Sequence, residues 1–167
     1  NKINLSNMTL NPSQHEAVMG ALTRRLTLIQ GPPGTGKTHT AIEILSTMVQ
    51  HKVGPILATA DSNVAVDNLL QGLLDKGINA VRIGQPVKVR ERLRKSTLTA
   101  KMSQHSLNDD IDAILSENNQ LKKDLNKLKG REKGFAHRDM NKNWKEIRLM
   151  EKQIIEDIID DSEVIVA

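Results

Sequence analysis

Eight consecutive residues, Gly31-Pro32-Pro33-Gly34-Thr35-Gly36-Lys37-Thr38, narrow the possible folds of this chain more than any other feature. They fill the pattern G-x-x-x-x-G-K-[ST] without a mismatch. Their glycines and prolines exclude a regular helix or strand through the segment, so it reads as a loop. Ahead of it, Leu26-Thr27-Leu28-Ile29-Gln30 is short, apolar and β-branched, which predicts a buried strand. Behind it, from Lys37, residues Ile42, Ile44, Leu45, Met48 and Val49 give a helix an apolar face. Strand, glycine-rich turn and helix in that order make an anion cradle. Gly34 and Gly36 let backbone N–H groups turn inward with no Cβ in the way, and the helix N-terminus adds partial positive charge. Lys37 is placed to reach β- and γ-phosphates, and the Thr38 hydroxyl to serve as a Mg²⁺ ligand. Lys37 and Thr38 are therefore the candidate catalytic pair. Gly31, Pro32, Pro33, Gly34, Thr35, Gly36, Lys37, Thr38 and His39 are the candidate nucleotide-site residues, with ATP and Mg²⁺ as the expected cofactors.

The flanking sequence extends the same alternation. Asn11-Pro12-Ser13-Gln14 reads as a helix start, with Asn11 at the N-cap, Pro12 at the first position and Gln14 at the third, where it also completes a capping box. That helix runs on through Ala17, Val18 and Leu22. Gly54-Pro55 resets the chain before a second strand, Ile56-Leu57-Ala58-Thr59. Ser62-Asn63 caps a third helix carrying Val64, Val66, Leu69, Leu70 and Leu73, and Gly77 ends it. Ala80-Val81-Arg82-Ile83 forms a third strand before Gly84. Alternating strands and helices imply an α/β fold with a parallel sheet and right-handed crossovers.

After about Leu98 the periodicity changes. Leu107, Ile111, Ile114, Asn118, Leu121, Leu125 and Leu128 alternate steps of four and three, a heptad seam with one polar member. Gly130 and Gly134 interrupt it. A second arm carries Met140, Trp144, Ile147, Ile154 and Ile158, with Glu151 where the seam predicts an apolar residue. Two such arms read as an antiparallel helical hairpin. Val164-Ile165-Val166-Ala167 then reads as a returning core strand, so the expected organisation is 1–98 for a partial nucleotide domain, 99–162 for the inserted hairpin and 163–167 for the strand.

The 167 residues include no Cys or Tyr, one Trp and one Phe. Without Cys a disulfide framework or thiolate metal site is excluded, and an intracellular location, cytoplasmic or nuclear, is expected. No apolar run approaches the ~20 residues that cross a bilayer, and Asn1-Lys2-Ile3 does not open a signal peptide. The scarcity of aromatics argues against a base-stacking platform. The five histidines lack ligand spacing, so no zinc site is expected. Residues 1–95 carry 12 basic and six acidic side chains, which favours polyanionic partners, whereas 96–167 are densely charged and nearly balanced.

Leu10-Asn11-Pro12-Ser13-Gln14 resembles the adenine-reading Q motif of superfamily 1 helicases. Ala58-Thr59-Ala60-Asp61-Ser62-Asn63-Val64-Ala65-Val66-Asp67-Asn68-Leu69 resembles motif Ia of the same superfamily. Val81-Arg82-Ile83-Gly84-Gln85-Pro86 with Val87-Lys88-Val89-Arg90 is similar to superfamily 1B helicases of the nonsense-mediated-decay and immunoglobulin-mu-binding type. The resemblance implies a RecA-like P-loop domain with a helical stalk, one of two such domains with ATP between them. It implies ATP-driven translocation and unwinding on single-stranded DNA or RNA. Gln14 would then read adenine, and Thr59, Ser62 and Asn63 would contact nucleic-acid phosphates. The resemblance places the Asp-Glu motif and catalytic arginines beyond Ala167, so this stretch alone is expected to bind nucleotide without turning it over. Asp61, followed by Ser62 and not Glu, fits motif Ia better than a metal carboxylate, and Asp160-Asp161 read as solvated.

Other readings stay open on the residues. The basic run Lys88, Arg90, Arg92, Arg94 and Lys95 is a solvated face or a phosphate-gripping one. The hairpin is a rigid strut, or a docking arm for a protein partner or a duplex fork through Lys122, Lys123, Lys127, Lys129, Arg131 and Lys133. A nucleotide-gated scaffold and an AAA+-like remodelling ATPase are the alternative functions. A monomer is expected.

Overall fold

The computed structural model describes residues 10–84 and 90–167. Gln85, Pro86, Val87, Lys88 and Val89, on which part of the resemblance and one basic residue fall, lie outside them. The chain divides into two compact units, one comprising the residues up to Thr97 together with Asp160–Ala167, the other Leu98–Ile159.

The first unit is built on three short parallel strands, β1 (Ile56–Ala58), β2 (Ala80–Arg82) and β3 (Val164–Val166), ordered β1-β3-β2. The last strand in sequence is thus the central one. Val164 lies opposite both Ile56 and Ala80, and Val166 opposite Ala58 and Arg82. The three strands expected at these positions form within a residue of their boundaries. β-branched residues suit this middle position, because a central strand is covered on both faces; Val164 and Val166 are fully buried.

Helices α1 (Pro12–Thr23), α2 (Lys37–Gln50) and α3 (Asn63–Asp75) belong to the same unit. α3 presents Val66, Leu70 and Leu73 at helical spacing to a core that also holds Ile78, Ala80, Leu93, Val164 and Val166. A 3₁₀ turn, Glu91–Ser96, inserts Leu93 into it.

Two expectations need correction here. Leu26–Gln30 is not a buried strand: Leu26 is 77% exposed and Leu28 88%, and no described strand lies beside the segment. β-branched, apolar composition favours a pleated surface, but a strand needs a neighbour for its N–H and C=O groups. The buried side of α2 is also more polar than its pattern suggests, comprising Thr40, Ile42, Glu43, Ser46 and Thr47. α2 packs between α1 and α3, and three of its buried polar side chains are answered: Thr40 Oγ1 donates to Gly36 O, Thr47 Oγ1 to Glu43 O, and Glu43 pairs with Lys76 Nζ at 2.9 Å. Ile44, Leu45, Met48 and Val49 are half-buried.

The second unit holds α4 (Leu98–Met102), α5 (Asn108–Asp124) and α6 (Arg131–Asp161), whose last two residues belong to the first unit. α6 is about 46 Å long at 1.5 Å per residue. The α5 seam is as expected, with Ile111 and Asn118 buried and its other members half-buried. The α6 seam is shifted. Ala136, Asn143, Ile147, Ile154 and Ile158 are buried, with Met140 and Met150 half-buried between them. Asn143 therefore stands where Trp144 was expected and Met150 replaces Glu151; Trp144 is 45% exposed. An apolar pattern alone could not identify Asn143, whose Nδ2 donates to Asn118 Oδ1 of α5 at 3.1 Å. Gly130 carries a positive φ of 54° in the break between helices, whereas Gly134 sits in the first turn of α6 and interrupts nothing.

Candidate functional site

The loop from Gly31 to Gly36 enters α2 through a left-handed turn. Gly34 and Gly36 have φ of 80° and 82°, which an L side chain adopts only with strain. Packing adds a second constraint: a Cβ on Gly31 would lie 2.7 Å from Thr35 Oγ1, and one on Gly36 2.7 Å from Gln14 Nε2. Thr35 Oγ1 donates to Pro32 O at 2.8 Å and braces the loop from inside.

The start of α2 differs from those of its neighbours. α1 is capped by Asn11, whose side chain accepts from Gln14 N, and α3 by Ser62, whose Oγ accepts from Ala65 N. The N-cap of α2 is Gly36, with no side-chain hydrogen bond. First-turn amides have no acceptor within their own helix, so those of α2 are presented to whatever enters the loop. Lys37 Nζ folds over the same place, donating to Gly31 O at 2.6 Å and Pro32 O at 2.9 Å. It is an ammonium held by neutral carbonyls, and an anion would compete well for it. Thr38 and His39 are exposed in the first turn, and His39 Nε2 lies 3.8 Å from Glu43 Oε1. Pro32, Pro33 and Thr35 are exposed along the rim. The charge, the amides and the glycine turn fit a polyphosphate.

Of the two tasks that its position offered, Gln14 performs the capping one, and its other amide atom binds the loop. Its Oε1 accepts from Asn11 N at 3.1 Å, completing the capping box, while its Nε2 donates to Thr35 O at 3.0 Å. It thereby ties α1 to the loop. A cleft of about 260 Å³ opens between them, lined by Gln14, Ala17, Gln30, Gly31, Lys37 and Thr40 among others. Thr40, which the sequence reading missed, closes the carbonyl of Gly36 from the second turn of α2; nothing but its spacing from Gly36 marked it. A larger cleft, about 320 Å³, lies away from this chemistry, between Lys52–Pro55 and Asp160–Glu163.

Thr59, Ser62 and Asn63 are exposed around the N-terminus of α3, while Asp61 is exposed beside them. Asn63 has a partner that its motif did not suggest. Arg82, at the end of β2 and 1% exposed, donates from Nη2 to Asn63 Oδ1 at 2.7 Å and from Nε to Asp67 Oδ1 at 2.9 Å. The available signal was the spacing of Asn63 and Asp67, one turn apart on a single helix face. Of the basic run, Arg90 reaches Asn68 Oδ1 at 3.1 Å, and Arg92, Arg94 and Lys95 are exposed. Asp161 is more than a solvated charge, since Asn79 Nδ2 donates to both its backbone O and its Oδ2. Among the described residues no group of three or more His, Asp or Glu could hold a metal, and no helix is long and apolar enough to cross a membrane.

A small parallel sheet with helices, one of them opened by a glycine-rich loop, is consistent with a P-loop NTPase fragment, and that is the class this geometry defines. A family model described as "AAA domain" matches residues 9–167. An uncharacterized ATP-dependent helicase of Methanocaldococcus jannaschii is 37% identical over 130 residues, 76% of this chain and 20% of the relative. The DNA-binding protein SMUBP-2 of Rattus norvegicus is 34% identical over 152 residues, 90% of this chain and 15% of the relative. The ATP-dependent helicase upf1 of Schizosaccharomyces pombe is 40% identical over 125 residues, 67% of this chain and 13% of the relative. The chain belongs to this AAA-domain family and, within it, to the superfamily 1B helicases. It spans a fifth or less of the length of each of these three relatives.

Proposed function

We propose that this chain is the ATP-binding part of a nucleic-acid-dependent ATPase that translocates on single-stranded DNA or RNA. The observation that carries the reading is the start of α2, uncapped by any side chain and overlaid by the Lys37 ammonium. In this reading the amides from Gly34 to Thr38 and the Lys37 ammonium hold the phosphates, and Thr38 Oγ1 supplies one Mg²⁺ ligand. Bound Mg²⁺ and nucleotide supply the phosphoryl group and neutralise its charge. Gln14 faces the same cleft and reads the adenine edge with the amide valences that its two hydrogen bonds leave over. Pro32, Pro33, Thr35 and His39 line the rim. The names of the relatives, two of them ATP-dependent helicases and one a DNA-binding protein, support the motor over a scaffold or a remodelling ATPase.

Nucleic acid would lie across the N-terminus of α3, where the first-turn amides with Thr59, Ser62 and Asn63 meet phosphates. α5 and α6 form an antiparallel hairpin inserted into the RecA-like domain, which works as a strut. Two contacts support this: as the chain steps back from Asn118 in α5 to His105 ahead of it, α6 steps forward from Asn143 to Asp157, at 3.1 Å and 3.4 Å. The protein works as a monomer inside the cell.

The test is phosphate release by the intact protein with matched DNA and RNA single strands. Stimulation by either, lost in Lys37→Ala, is the expected result, and the better activator names the track. Hydrolysis indifferent to both would favour the scaffold. The 167-residue stretch by itself is expected to bind Mg·ATP without release above its Lys37→Ala control.

A further inference from the structure

We infer that Arg82 is a positioning residue for the nucleic-acid contact: its buried guanidinium fixes the Asn63 amide so that the N–H₂ group faces outward as a donor toward phosphate. This rests on the proposal that the N-terminus of α3 meets nucleic acid.

Arginine has five N–H donors and no acceptor, so whatever it holds must offer oxygen. At Asn63 only Oδ1 can satisfy Nη2, and the 2.7 Å contact therefore fixes which way round the amide lies. Asn63 is exposed in the first turn of α3, and with Oδ1 turned to Arg82 the Nδ2 group is the part of the amide left to meet a partner. An unrestrained asparagine would offer donor and acceptor about equally, and the acceptor face would repel a phosphate oxygen. Arg82 removes that ambiguity. It also links the turn to the sheet, because the same guanidinium holds Asp67 one helical turn on. Asp67 balances its charge, so Arg82 contributes orientation more than electrostatic attraction. A pair serving stability alone would need only the Asp67 tine; the second tine, ending on an exposed side chain, is what a recognition role explains. Gly84, with a φ of 127°, brings the chain past the guanidinium, and a Cβ there would lie 3.5 Å from Nη1.

The experiment measures binding of the intact protein to a labelled single-stranded oligonucleotide at low and moderate salt, beside its unfolding transition. Asn63→Asp keeps the oxygen that Arg82 requires and replaces the outward donor with a carboxylate oxygen. Expected is an unchanged or higher unfolding midpoint with strand affinity reduced about 10- to 100-fold. Asn63→Ala should lose less, since it removes the donor without adding repulsion. Arg82→Lys retains the charge beside Asp67 but lacks the fork, so strand affinity should fall while Mg·ATP affinity holds. Asn63→Asp binding as tightly as the unsubstituted protein would overturn the inference and the contact at Asn63, leaving the first-turn amides, Thr59 and Ser62 as the proposed phosphate contacts. Unsubstituted protein whose strand affinity ignores salt would remove both.

Discussion

An alanine at position 36 would meet two obstacles, a left-handed φ of 82° and a Gln14 nitrogen 2.7 Å from its Cβ. At Gly34 the φ is nearly the same, yet no atom lies within 4 Å. Gly34→Ala should therefore cost about 1–2 kcal/mol from backbone strain alone. Gly36→Ala should cost clearly more and break the Gln14–Thr35 bond; urea midpoints of the two variants rank them, and the reverse order would contradict this packing. Ser62→Ala should remove about 1 kcal/mol with its helix cap, read from the same midpoints. The glycine turn before α2 was legible because local chain geometry dictates its residues one by one. Arg82 was not. Asp67 and Asn63 lie 15 and 19 positions away from it, and only the folded sheet brings the end of β2 under the first turn of α3.

The corrected seam makes α6 a sharp test of element-level packing. Trp144 is exposed while Ile147 and Ile154 are buried, so Trp144→Ala should shift stability by no more than about 0.5 kcal/mol. Ile154→Ala should cost about 2–5 kcal/mol. Thermal melts of the two variants decide it, and a large loss at Trp144 would restore the apolar heptad. Asn118 and Asn143 form a buried amide pair with Asn118 Nδ2 left without a partner in the structure. Replacing Asn143 by Ala should cost about 1–3 kcal/mol by orphaning the remaining amide, while leucine at both positions should be neutral or stabilising. Periodicity placed both long helices well, but it is blind to a polar residue whose partner lies on another helix. The Leu26–Gln30 segment shows the opposite limit: its composition favours a strand, and only a neighbouring strand can make it one.

At the scale of the molecule, the order β1, α3, β2 and the return of β3 after the long helices followed from alternating apolar periods, whereas the strand expected between α1 and α2 is not among the described ones. That β3 lies between β1 and β2 did not, since strand order depends on which edges meet. The charge imbalance likewise pointed to a polyanion without saying where it lies. If about three phosphates are held at the start of α3, single-strand affinity of the intact protein should fall roughly 20-fold between about 50 and 200 mM salt; a flat response would contradict that contact. All of this depends on the loop before α2 holding a nucleotide. Calorimetric titration of the folded intact protein with Mg·ATP tests that most directly. One site should be filled, with affinity lowered by about 2–3 kcal/mol, roughly 30- to 150-fold, in Lys37→Ala. No heat of binding, or identical isotherms for the two proteins, would contradict it.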